Sequence, residues 1–270
     1  MLITDDPGST ISKLWCSYFL ANRPDPDGLP WDDAYVLNAA ERRAIAKSIA
    51  QFQLGEGAEG RRLQERGRRY AMRVGDNHFS QALALFVKEE QHHSADLGRF
   101  MDAQGLPRLS KHWVDSIFRR LRLLAGLELC LRVLVTAEII AVPYYRALGS
   151  ATASELLHAI GCRILEDEAG HLKFQSSMLT RLAEGRRPLI SRLIWRFHRL
   201  FLVGTCFVVW LGHGRVFRAA GYCFEDFALE ALYEFCNLKR RCGLISQERS
   251  QPLNPFDARG RSPRPVADSS

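Results

Sequence analysis

The sequence predicts an all-α fold: an antiparallel four-helix bundle with two additional C-terminal helices. Three observations carry this. Apolar residues recur at steps of three and four through most of residues 38 to 245, the period of a helix face rather than of a strand. The periodic segments are long, and the breaks between them are short and rich in Gly, Pro, Asp and Asn. Long helices with short connections pack antiparallel. Alternation of the strand kind is scarce.

Residues 1 to 36 include "NRPDPDGLPWDD" and read as an irregular N-terminal arm, because proline, glycine and aspartate at that density break regular structure. A helical domain then covers 37 to 247. Its first helix starts near 38, with Ile45, Ile49, Phe52, Glu56, Glu59, Leu63 and Tyr70 on one stripe. "VGDNH" ends it near Gly75. The second helix spans about 78 to 103 and stops at "AQGLPRLS". The third spans about 111 to 148, with a bend expected near Pro143, which removes a backbone donor. "GSATASE" supplies a turn and an N-cap in Thr152 or Ser154. The fourth helix runs to about 184, closing a core of 38 to 184. Two more helices fill about 188 to 220 and 224 to 245, and the tail 248 to 270 has the composition of a disordered segment.

The composition, 47% apolar and 25% charged, is that of a soluble globular protein. The net charge of +7 is spread out and no nucleic-acid motif accompanies it, so nucleic-acid binding is not expected. Seven cysteines without a CxxC read as reduced thiols in a cytoplasmic protein. The polar start "MLITDDPGST" does not read as a signal peptide. The longest apolar run, 200 to 212, falls short of the roughly 20 residues a spanning helix needs. Before it, Arg192, Arg196 and Arg199 line one face of the fifth helix, with Leu193, Phe197, Leu200 and Phe201 near the other. The apolar side is expected to pack on the bundle. A membrane surface is the other reading of such a basic amphipathic helix.

The chemistry sits in "FVKEEQHHSADL", residues 86 to 97. Leu83, Phe86, Glu90, His93, Leu97 and Phe100 step by three and four and form the inward seam. Glu89 and His92 fall on a flank or in solvent. In the fourth helix Leu157, Gly161, Ile164, Glu168, His171, Gln175 and Met178 form the same kind of seam. The third carries Glu138 between Leu134 and Val142, and the first carries Glu56 and Glu59. Carboxylates therefore interrupt all four apolar faces, and two of them have a histidine one turn on. A lone buried Glu–His pair would be an ordinary ion pair. Four carboxylates crowded in a dry core would have to be largely protonated, whereas two metal ions need such a set. Spacing i, i+3 puts a carboxylate and an imidazole on one helix face.

On "EGAEG", "EEQHH", "TAEII" and "EDEAGH", spanning 56 to 171, the sequence resembles the ferritin-like superfamily of di-iron carboxylate proteins. The resemblance implies two Fe ions, with Mn or a mixed Fe/Mn pair as alternatives. It implies the ligands Glu90, His93, Glu138, Glu168 and His171, plus Glu59 or Glu56 from the first helix. Mirroring the spacing of Glu138 to Glu168 favours Glu59, with Glu56 the alternative. Asp167 and Glu89, each directly before a ligand, would accept hydrogen bonds from ligand imidazoles. Tyr145, two turns beyond Glu138, is either a hydrogen-bonding neighbour of the centre or a packed core residue. His213 in "WLGHG" reads as a core histidine.

The implied activity is that of a non-haem di-iron oxygenase or oxidase. Its partners would be dioxygen, an organic substrate and a separate electron-donor protein, since no rubredoxin-like cysteine quartet is present. A homodimer is compatible with such bundles. The alternatives are iron oxidation or storage, peroxide removal, or a metal-free helical scaffold or membrane-surface binding protein.

Overall fold

The computed structural model describes residues 7–22, 28–57, 60–110 and 126–244, and these are helical with no strand among them. In chain order the helices are α1 (Pro7–Ala21), α2 (Ala39–Glu56), α3 (Gly60–Val74), α4 (Asn77–Ala103), α5 (Leu127–Ser150), α6 (Glu155–Leu182), α7 (Pro188–Ala219) and α8 (Phe224–Arg241). The expected start of the third helix at 111 to 125, Glu59 and the tail 248 to 270 lie outside the described residues.

The first departure from expectation is α1. The arm read as irregular holds a helix whose inner face is Ser12, Cys16 and Phe19. The Pro- and Asp-rich stretch colours the composition of the arm, but it begins only after this helix has ended. α1 packs on α4, and Phe19 meets the rings of Phe86 and Phe174.

The second departure is the division of the first long helix into α2 and α3. The break follows Glu56, among Gly55, Gly57 and Gly60. Each glycine inside a helix is unfavourable by about 1 kcal/mol relative to alanine, so three in six residues weaken continuity. Gly57 also lets α2 approach α4: a Cβ there would lie 2.8 Å from Ser94 Oγ. Gln53 Nε2 donates to that oxygen at 3.0 Å, which ties the end of α2 to α4.

The remaining boundaries have local causes. Asn38 and Glu41 form a capping box on α2. Asp76 caps α4, accepts from Ser12 Oγ at 2.7 Å and pairs with Arg181, joining α1, α4 and α6. Ser154, of the two expected candidates, caps α6 by accepting from the Leu157 amide. Gly75 and Gly185 take φ of 72° and 73° at the ends of α3 and α6, a region that favours glycine. α5 continues as helix through Pro143.

Packing follows the order of the seams. α5 lies along α6, α2 and α3 lie on α4, α4 contacts α6, and α3 contacts α5. α7 covers α2 and α5, and α8 covers α5 and α6. One hydrophobic core draws on every helix, from Phe19 to Leu238. No disulfide joins the cysteines of the described residues. α7 is long and apolar enough to cross a membrane by length and composition, yet one of its faces is buried in this core.

Candidate metal centre

The carboxylates and imidazoles of four helices meet in the core. α4 supplies Glu90 and His93, α6 supplies Glu168 and His171, α5 supplies Glu138, and α2 supplies Glu56 from its last residue. Ligand atoms of Glu56, Glu90, His93 and Glu168 lie within 4.8 Å of one another. Those of Glu90, Glu138, Glu168 and His171 form a second group within the same limit. Both groups contain Glu90 and Glu168. Ligand bonds of about 2 Å place two donors of one ion about 3–4 Å apart, so each group needs only a small contraction to close on a cation.

The hydrogen bonding leaves room for a metal beside the ion pairs His171–Glu90 and His171–Glu168. His93 Nδ1, His171 Nδ1, Glu90 Oε1 and both oxygens of Glu168 are buried and have no hydrogen-bond partner. Glu90 Oε1 and His171 Nδ1 lie 2.9 Å apart, but not in hydrogen-bonding orientation. Orphaned buried polar atoms are rare because each forfeits its hydration. Here they face one another, as donors around a cation do.

The outer ring nitrogens are fully engaged, and crosswise. His93 Nε2 on α4 meets Asp167 Oδ2 on α6 at 2.9 Å. His171 Nε2 on α6 meets Glu89 Oε2 on α4 at 2.9 Å. Each carboxylate thus serves the histidine of the opposite helix. With Nε2–H donated outward, loss of the second ring proton would leave Nδ1 as a lone pair pointing at the cluster, the tautomer a metal requires. Glu89 is accordingly buried rather than solvated, at 5% exposure.

Asn22, just past α1, joins the two halves. Its Nδ2 donates to Glu89 Oε1 at 3.0 Å and to Asp167 Oδ1 at 2.7 Å. Tyr18 of α1 packs so close to α6 that a Cβ at Gly170 would lie 2.2 Å from its hydroxyl. The sequence pattern carries no sign of Asn22, because it meets the site through a contact 67 residues distant from one partner and 145 from the other.

On the far side, Tyr145 is fully buried and its hydroxyl donates to Glu56 Oε1. Gln175 Nε2 donates to Glu138 Oε1 at 2.8 Å. Gln175 was legible as a seam residue, but its role beside Glu138 was not. His213 lies away from the cluster and bonds Ser48 at 2.7 Å, so it is a core histidine as expected. The rings of Phe86 and Phe19 lie 4.7 and 6.3 Å from that of His171 and shield it from water.

The charges confirm the crowding. Burial, then the carboxylates of Glu138 and Glu56, push the acid of Glu90 well above its ordinary range. Burial and Glu168 do the same to Glu138. Burial raises Glu168 to about 7. Burial disfavours a charged imidazole at His171, but Glu90, Glu168 and Glu89 around it outweigh that and push its pKa up. Asp167 is the exception: against the effect of its burial, His93 holds it below the usual carboxylate range.

Of the residues singled out from sequence, Glu90, His93, Glu138, Glu168 and His171 come together in the cluster. Glu56, the alternative, holds the first-helix place there, while Glu59, the preferred residue, lies outside the described residues. Asp167 and Glu89 take the imidazole-orienting places. No protein-family model matches the chain, and no curated protein matches it.

Proposed function

We propose that the chain is a ferritin-like di-iron carboxylate protein that activates dioxygen, acting as an oxygenase or oxidase on an organic substrate. The observation that carries this reading is the pair of ligand groups sharing Glu90 and Glu168. Carboxylates common to both groups would be within reach of both ions of a two-metal centre. Four carboxylates balance two divalent cations, and two imidazoles with four acids suit iron or manganese. Glu56, Glu90, His93 and Glu168 would hold one ion, and Glu90, Glu138, Glu168 and His171 the other.

When bound, a reduced iron pair supplies the binding and reduction of dioxygen. The chain's own residues set the conditions. Glu89 and Asp167 fix the two imidazoles, and Asn22 fixes Glu89 and Asp167. Gln175 and Tyr145 orient Glu138 and Glu56 by donating to one oxygen of each. Tyr145 also holds a proton one hydrogen bond from a ligand carboxylate. Its own pKa lies well above that of a free phenol, through burial and then Glu56. Phe19, Phe86 and Phe174 keep bulk water from the His171 side.

The test separates this reading from iron storage. Protein loaded with iron is mixed with excess Fe(II) in air, and separately with a chemical reductant in air. An oxygenase or oxidase consumes oxygen with the reductant and does not go on oxidising added Fe(II). Sustained Fe(II) oxidation far beyond the bound metal, with no reductant-driven uptake, would replace this reading with ferroxidase or storage activity.

A further inference from the structure

α7 carries two apolar faces, and among the described residues the fold uses one. Trp195, His198, Leu202, Cys206, Val216 and Phe217 are buried against the neighbouring helices. Leu189, Leu193, Phe197, Leu200, Phe207 and Leu211 point outward, with exposures of 76, 52, 63, 67, 55 and 86%. This reverses the expectation that Leu193, Phe197 and Leu200 pack on the bundle. Apolar residues lie on both sides of the arginine line here, so periodicity does not single out the inner face. His198 chooses it, through bonds to Thr136 Oγ1 at 3.0 Å and Arg132 at 3.1 Å. At about 100° per residue the six outward side chains fall within an arc of roughly 80° and run for about 33 Å. Monomers rarely leave so continuous an apolar strip in water.

Its charge selects the occupant. Arg192, Arg196 and Arg199 are exposed along one flank, and Arg215 and Arg218 are exposed towards the C-terminal end. Between Pro188 and Ala219 there is no Asp, Glu or Lys. We infer that this outer face lies in the headgroup region of an anionic lipid bilayer, parallel to its plane, with the arginines on lipid phosphates. The helix does not span, because its inner face is part of the core. A second copy of the chain would bring five more arginines and no carboxylate from its own α7. An apolar face with a cationic flank matches lipid tails and anionic headgroups together. This inference does not depend on the metal centre.

The test is flotation of the full chain with vesicles of neutral phosphatidylcholine, and of phosphatidylcholine with a third phosphatidylglycerol. Binding to the anionic vesicles at least tenfold tighter than to the neutral ones is expected. Phe197→Ser with Leu200→Ser should weaken it tenfold or more. Arg192→Gln with Arg196→Gln should remove most of the preference for anionic lipid. These residues are exposed, so helicity and Tm should match the wild type. Absence of binding to both compositions overturns the inference. So does a lipid-free dimer that Phe197→Ser with Leu200→Ser splits into monomers while wild-type protein ignores vesicles, which would assign the face to a second copy.

Discussion

Asn22 is the residue on which the two halves of the centre depend. Replacing it with alanine leaves Glu89 and Asp167 without their common donor. The imidazoles of His171 and His93 then lose their fixed orientation at one remove. Loss of such outer partners typically weakens metal binding about 10–100-fold. Competition with a chelator should show a fall of that size for Asn22→Ala, with unchanged helicity. The first-helix ligand gives a second prediction: Glu56→Gln should lower the metal content, and Glu59→Gln should not. The choice between these two glutamates was not legible, because the glycine break after Glu56 resets the helix phase on which the stripe argument relies. The two ExxH pairs were legible because i, i+3 spacing on an apolar seam survives any choice of helix boundary. Glu89 was harder to read: the stripe put it on a flank, and its partner is on another helix. Titration gives a third prediction. Glu90, Glu138 and Glu168 have raised acid pKa values, and so does His171. In each case the folded state holds a proton that the unfolded state has released. The metal-free protein should therefore lose stability as pH rises from about 5 to 8. Metal binding should release protons and abolish that slope. A Tm series with and without metal checks both statements.

At the scale of elements, α7 is fastened to α5 by a histidine that must stay neutral. Burial and then Arg132 lower the pKa of His198 to about 3. The unfolded chain takes up that proton near pH 6.5, so this contact weakens the fold as pH falls from about 6.5 towards 3. The slope from one such group is about 1.4 kcal/mol per pH unit. Denaturant unfolding of His198→Gln between pH 6 and 4 should be flatter than that of the wild type by up to this amount. A parallel pH dependence in the two proteins would contradict the assignment. The boundaries of α4, α6, α7 and α8 could be anticipated within a few residues, because caps and glycine stops are local signals. α1 could not: its neighbour "RPDPDG" dominates the composition of the arm, and its buried face only has meaning against α4.

For the whole molecule, an all-helical core surrounds a cluster of carboxylates and imidazoles that could hold metal ions. The long helices and their packing order are consequences of the apolar seams. The carboxylates on those seams are costly to bury in charged form, and a bound cation would offset that cost. The all-α class was legible because the seams are long. The outward face of α7 was not, because apolar residues flank its arginine line on both sides and periodicity gives no choice between them. The most direct measurement is the metal content of the protein purified from iron-supplemented cells, beside Glu90→Ala and His171→Ala, with circular dichroism on all three. A di-iron centre at this cluster gives about two iron ions per chain in the wild type and loss of metal from both variants, with helicity kept. Wild-type protein that is folded yet holds no metal under these conditions would contradict it, and the buried acids would then serve structure alone.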